Sequence, residues 1–137
     1  MDRGMRAADE LEVRNLIVRL AQYADGLGSC EEYAELFADD GEWLMPNAPR
    51  IGRADILAGA LARRAEGTVG PGSNTRHVIS TTAVDFADDD TALAQSYWSF
   101  FVETDTAPRL MSMGVYRDTL RRTPDGWRMV RREISFG

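Results

Sequence analysis

One imidazole sets the terms for any proton chemistry in this chain: His77 is the only histidine. It opens the stretch Asn74 to Val102, rich in Thr, Val, Ile, Tyr, Phe and Trp, which suit a pleated, half-buried surface. An imidazole in an otherwise apolar strand is either a packed side chain or a proton carrier, so its neighbours decide its role. Asp25 is the acid with the most unusual placement. It falls in the last turn of a helical pattern, beside Leu20, Ala21 and Ala24. The negative end of a helix dipole disfavours a carboxylate there by roughly a few tenths of a kcal/mol. An Asp bonded to one ring nitrogen would hold the tautomer and raise the basicity of the other. That nitrogen could then take or return a proton, an effect worth about 100- to 10,000-fold. The plainer reading is a solvated helix-end Asp and a hydrogen-bonded strand His, and spacing alone leaves both open.

Other chemistries find little to use. A single cysteine, Cys30, excludes an internal disulfide and a thiolate cluster for zinc. One histidine and scattered acids offer no metal-ligand spacing. The glycine-rich GTVGPG lies between a helix and a strand and lacks the Lys-Ser/Thr of a phosphate loop. A serine triad has nothing in its favour beyond the presence of Ser and His. The formal net charge of -6 argues against a nucleic-acid partner. No apolar run is long enough to span a membrane, and MDRGMRAADE has no signal-peptide core. The expectation is a soluble, reduced, cytoplasmic protein. A chain of 137 residues is one domain, residues 1–137, large enough for a core and a small cavity.

Few elements are available to position Asp25 and His77. Leu11, Leu16, Ile17, Leu20, Ala21, Ala24 and Leu27 recur at helical spacing, which predicts a helix from about Ala7 to Gly26. A short helix, Cys30 to Phe37, follows Ser29 as N-cap. Asp39-Asp40-Gly41 reads as a turn into a brief strand, Glu42 to Met45, ended by Pro46. A third helix spans about Arg53 to Ala65. Glu66 to Asn74 has the composition of a flexible lid or rim loop. Beyond the organising pair of strands, which turns at Ala87-Asp88-Asp89-Asp90, Arg109 to Leu120 and Trp127 to Ile134 alternate around the turn Thr123-Pro124-Asp125-Gly126. Helices first and an antiparallel meander after them indicate an α+β fold, helices on one face of a curved sheet.

The ordered segments LIVRLAQYADG, EEYAELFADDGEW, NTRHVISTTAVDF, DDDTALAQSYW and MGVYRDTLRRTPDGWRMVRRE carry a resemblance. From about Glu10 to Glu133 the chain resembles the SnoaL-like branch of the nuclear-transport-factor-2-like superfamily. The resemblance implies a cone-shaped α+β barrel, three N-terminal helices packed on a strongly curved antiparallel sheet around a deep apolar pocket. Similar members, including scytalone dehydratase, hexachlorocyclohexane dehydrochlorinase and bile-acid 7α-dehydratase, are cofactor-free lyases with an Asp–His pair. Asp25 falls on the family's helix-end aspartate and His77 on the histidine opening its first long strand. By the same correspondence Trp43 lines the pocket. Trp98 and Phe100 share a strand face with Ala94 and Ser96, as Ser112, Gly114 and Tyr116 do on the next strand. Arg132 matches a basic residue that faces the leaving group in the dehydrochlorinase, although Arg131, on the opposite face, could be the inward one. Ordinary core packing is the competing reading for the aromatics, and Trp127 is read as packing alone.

Departures from the relatives narrow the chemistry. Leu20 stands where relatives carry Lys or Tyr, which weakens a halide-elimination reading. Phe100 replaces a second acid of the bile-acid enzyme, and Leu44-Met45 replaces the ketosteroid-isomerase base. Tyr23 and Tyr116 remain as phenol donors. The leading expectation is therefore a cofactor-independent lyase or isomerase, dehydratase- or cyclase-like, acting on a small apolar cyclic, polyketide- or steroid-like molecule. His77 would be the base, Asp25 its orienter, and Arg132 or Tyr116 the electrophilic helper. The alternative is a non-catalytic ligand-binding protein, or a small subunit resembling that of ring-hydroxylating dioxygenases. The resemblance also implies a homodimer.

Overall fold

The helix that carries Asp25 to its place is long and ends irregularly. In the computed structural model, which describes residues 3–137, α1 runs Arg3–Gln22 and continues into a π-helical turn, Tyr23–Leu27. Val13, Leu16, Ile17 and Leu20 form its buried stripe. Leu11 and Leu27, expected on that stripe, are 64% and 75% exposed, so the apolar face is narrower than the sequence pattern implied. Leu11 lies about 200° around the helix from Val13, on the solvent side. Gly26 kinks the turn at φ 106, a conformation that L side chains rarely adopt. A Cβ there would also lie 2.7 Å from the Pro71 ring.

The second helix, α2 (Cys30–Glu35), starts with a capping box: the Glu32 N–H donates to Ser29 Oγ at 3.0 Å, and the Ser29 N–H donates to Glu32 Oε1 at 3.0 Å. It stops short of the expected Phe37 because the sheet takes over the chain. The Leu36 carbonyl accepts the Met129 N–H at 2.8 Å, and β1 begins at once, Phe37–Leu44. Asp39-Asp40-Gly41, expected as a turn, lies within β1 at a register irregularity between Phe37 and Glu42. After a two-residue strand, β2 (Arg50–Ile51), α3 occupies the expected Arg53–Ala65. Four long strands complete the fold: β3 (Thr75–Asp88), β4 (Thr91–Val102), β5 (Arg109–Thr123) and β6 (Gly126–Phe136).

The sheet order is β2-β1-β6-β5-β4-β3, antiparallel except where β1 runs parallel to β6. It is an open sheet with β2 and β3 at its edges, curved around the helices. Its inner face presents Ala92, Ala94, Ser96 and Trp98 from β4, with Tyr116, Asp118 and Leu120 from β5, all buried. Its outer face exposes Val78, Leu93, Tyr97 and Met113. Trp127 joins α1 to the sheet: its indole N–H donates to Asp9 at 3.0 Å and its backbone N–H to Glu12 at 2.7 Å. Among the described residues no helix is long and apolar enough to cross a membrane.

Two of the register shifts in the sheet, in β3 and β6, set which side chains face inward there. In β3 the register shifts between Ser80 and Ala83, where Thr81 has φ 52. His77 and Ile79 face inward before it, Thr82, Val84 and Phe86 after it. In β6 the ladder shifts opposite Thr119/Leu120, so Val130 is the extra residue. Strict alternation from Trp127 and Met129 would turn Arg131 inward; the bulge turns Arg132 inward instead.

Gly114 permits the closest approach in the sheet. A Cβ at this position would stand 1.8 Å from the Ser135 carbonyl oxygen, the same oxygen that accepts the Trp98 indole N–H at 3.2 Å. Gly114→Ala should therefore push β6 away, lowering the unfolding free energy by about 2–3 kcal/mol in urea denaturation.

Candidate active site

Asp25 and His77 meet at the junction of the π-helical turn and β3. Asp25 Oδ1 lies 2.8 Å from His77 Nδ1, and the His77 backbone N–H donates to both carboxylate oxygens, at 3.2 and 3.0 Å. The two side chains are 12% and 19% exposed, so the contact is largely screened from bulk water. A carboxylate only accepts, so Nδ1 carries a proton, and in the neutral form of the ring Nε2 is then the free base. Among the described residues no protein group bonds Nε2. The Phe100 ring packs against the imidazole at a centroid distance of 4.8 Å and limits its rotation.

Two features hold Asp25 where a helix end would disfavour it. The donors from His77 supply what the helix dipole does not. In addition Arg64, in the last turn of α3, donates from Nη2 to the carbonyls of Tyr23 and Gly28, at 2.5 and 2.7 Å. Carbonyls at a helix C-terminus lack intrahelical partners, and a guanidinium satisfies two at once. The Glu66–Asn74 segment, expected as a flexible lid or rim loop, packs as a rim. Val69 and Gly70 are buried, Ser73 Oγ donates to the Gly70 carbonyl at 2.7 Å, and Thr75 Oγ1 donates to the Thr68 carbonyl at 3.2 Å.

In front of His77 opens a cavity of about 280 Å³, sized for a small molecule. The expected residues Tyr23, Trp43, Trp98, Phe100, Ser112, Tyr116 and Arg132 all line it. So do Tyr33, Met45, Arg63 and Met111, which sequence reading left aside. Tyr33 lies in the short second helix, and nothing in its spacing marks it as pocket-facing. Asp25 is not on this wall. It stands behind His77, beside a separate outer groove bordered by Gln22, Thr75 and Arg76.

Arg132, rather than Arg131, turns inward. Arg131 stays at the surface with Glu133, 3.0 Å away. Arg132 is 4% exposed and forms a bidentate pair with Asp118, itself 0% exposed, at 2.9 and 3.0 Å. Asp118 had no sequence signal beyond alternation. Burial works against the Arg132 charge, but the Asp118 carboxylate more than offsets it and raises the arginine's pKa. The guanidinium lies over the Tyr116 ring, 3.8 Å from its centroid. Burial pushes the Tyr116 phenol up to about 12, against the opposing charge of Arg132. Tyr116 therefore keeps its proton at neutral pH and can only donate to an anionic oxygen.

Two outcomes follow from this buried cluster. Asp118→Ala leaves an unpaired buried guanidinium and should lower stability by about 3–5 kcal/mol in urea denaturation. Replacing both partners, Asp118→Leu with Arg132→Met, should recover most of that loss. For Tyr116, the folded state holds the proton to about pH 12, above the 10.0 of an ordinary phenol. Its contribution is complete below pH 10 and is lost as pH rises to 12. Stability should fall across that window by up to ~1.4 kcal/mol per pH unit, and Tyr116→Phe should flatten the slope.

Residues 5–133 match the SnoaL-like domain family. No curated protein matches the chain. Among solved structures, an NTF2-like protein with a cystatin-like fold from Novosphingobium aromaticivorans is 32% identical, with a TM-score of 0.81, over 98% of this chain and 85% of that one. ActVI-ORFA from Streptomyces coelicolor is 26% identical, with a TM-score of 0.78, over 93% of each chain. A protein provisionally assigned as a scytalone dehydratase, also from N. aromaticivorans, is 22% identical over 99% of this chain and 89% of that one. Its TM-score of 0.80 speaks to fold alone. Helices wrapped by a bent sheet, an aromatic cavity and a match over nearly the whole length lead to one assignment: this chain belongs to the SnoaL-like family, on the NTF2-like, cystatin-like fold.

Proposed function

We propose that this protein is a cofactor-independent lyase or isomerase of the dehydratase or cyclase type, acting on a small, mostly apolar cyclic molecule. The observation that carries the reading is the 2.8 Å Asp25–His77 contact, which leaves Nε2 unbonded against an aromatic cavity. His77 Nε2 takes a proton from a carbon next to a carbonyl. Asp25 holds the ring and stabilises the imidazolium that forms. Tyr116, kept neutral by burial, donates a hydrogen bond to the enolate oxygen as charge develops there. Arg132 is committed to Asp118, so its contribution passes through the phenol beneath it.

In the elimination form of the reaction the C–H electron pair becomes the new C=C bond and the neighbouring C–O bond breaks. The imidazolium returns its proton to the departing hydroxide, which leaves as water. In the isomerisation form the same proton returns to a different carbon. The apolar walls supplied by Trp98 and Phe100 exclude water and strengthen both the pair and the phenol bond. Family membership supports this class of reaction, and the neighbour provisionally assigned as a scytalone dehydratase agrees with it at the level of fold.

The test is hydrogen–deuterium exchange next to the carbonyl of 1-tetralone, 2-tetralone and 4-hydroxy-1-tetralone in D2O, followed by NMR. The wild type should accelerate exchange. His77→Ala and Asp25→Asn should each reduce it by about 100-fold or more while near-UV circular dichroism stays native. Equal rates in either variant, or no acceleration by the wild type, would overturn the assignment and leave a ligand-binding container.

A further inference from the structure

Among the described residues, the arginines in and around the cavity each have a carboxylate or carbonyl partner, except one. Arg132 is neutralised by Asp118, Arg64 is taken up by two backbone carbonyls, and the nearby Arg50 pairs with Asp55 at 3.1 Å. Arg63, in the last turn of α3, also lines the cavity. Its guanidinium lies over the Trp43 ring, 4.4 Å from the centroid. Among the described residues no carboxylate pairs with Arg63 and no side-chain hydrogen bond engages it.

Stacking on Trp43 explains the packing of that side chain but does not use its N–H donors. Stacking uses the flat face of a guanidinium, whereas its N–H donors project from the edge, in the plane, and remain free for an acceptor. The charge is felt within the cavity: it opposes the burial that raises the pKa of Tyr33, another lining residue. Three guanidinium groups, Arg63, Arg64 and Arg132, stand against two carboxylates, Asp25 and Asp118. With His77 neutral, the site has an excess positive charge inside a protein whose formal net charge is -6. The rest of the lining is mostly apolar, so this charge has one class of partner that would fit: an acidic oxygen carried on an apolar skeleton.

We propose that Arg63 is a specificity-determining residue that binds a carboxylate, or an equally acidic enol or phenol oxygen, on the ligand of this cavity. The inference rests on the cavity being the substrate site described above, and it narrows the substrate from apolar to apolar with one acidic group. Anchored at Arg63, such a molecule would lay its hydrocarbon body along Trp98 and Phe100, towards His77.

The pair trans-cinnamate and trans-cinnamamide tests this, since they match in size and differ in charge. In NMR titrations at pH 7.5 and low salt, the wild type should bind cinnamate about tenfold or more tightly than the amide. Arg63→Gln should remove that preference by weakening cinnamate alone. Arg63→Lys, which keeps the charge, should retain part of it. Equal binding of the two probes, no saturable cinnamate binding by the wild type, or a preference that survives in Arg63→Gln would overturn the proposal. Should Arg63→Gln fail to fold, the wild-type preference must still shrink as salt rises to 0.5 M, and an unchanged ratio overturns it. His77→Ala should keep the preference; losing it there would transfer the role to the histidine. Loss of carbonyl-side exchange with the preference intact would remove the catalytic reading and leave the anion site standing.

Discussion

Everything in the cavity is arranged around a carboxylate placed at the wrong end of a helix. Asp25 follows α1, where aligned carbonyls repel negative charge, and its side chain is only 12% exposed. It is tolerable only because His77 supplies a ring N–H and a backbone N–H together. That supply depends on long-range structure. β3 must begin beside the helix end, the Glu66–Asn74 segment must return the chain there, and Gly26 must let Pro71 pass at close range. Arg64 then takes up the turn's carbonyls, which would otherwise compete for donors or draw water inward. The imidazole is held from behind by the acid and from the side by Phe100, leaving one nitrogen for the cavity.

A second arrangement of charge sits deeper. Burying an arginine with an aspartate is usually no gain over packing two apolar residues of the same volume. Here the pair serves the ring beneath it, because the guanidinium lies over Tyr116 and opposes the burial that pushes the phenol up. The donor stays protonated yet is made less reluctant to share its proton. Preorganised dipoles of this kind need no rearrangement as charge develops in front of them. The apolar walls and the charged floor are two parts of one electrostatic design, since low polarity is what gives the floor its reach.

Much of the architecture was readable from residue order. α3 occupies the span expected for it, Arg53 to Ala65, and the long strands turn within the acidic run and at the Thr-Pro-Asp-Gly sequence. Errors gathered where tertiary contacts override local preference. Leu11 and Leu27 look like core by composition, but the helix presents only a narrow stripe to the sheet. Phe37 looks helical by continuity, yet β6 captures the chain at Leu36 and draws Phe37 into a parallel pairing. Asp39-Asp40-Gly41 has turn chemistry and sits inside a strand, because a ladder irregularity absorbs the bend.

Residue inventory and local pattern determined the class of fold, the one imidazole, the acid poised at a helix end, and the aromatic faces of β4 and β5. They left open which of two adjacent arginines turns inward, and they gave no hint that Asp118 would meet it or that, among the described residues, no carboxylate would pair with Arg63. Only the folded chain decided these. A bulge at Val130 reverses the alternation of β6 and brings Arg132 inside, and another near Thr81 does the same for the far half of β3. The physical reason is that a bulge is two residues facing one across a ladder, so it does not exist until two strands have paired.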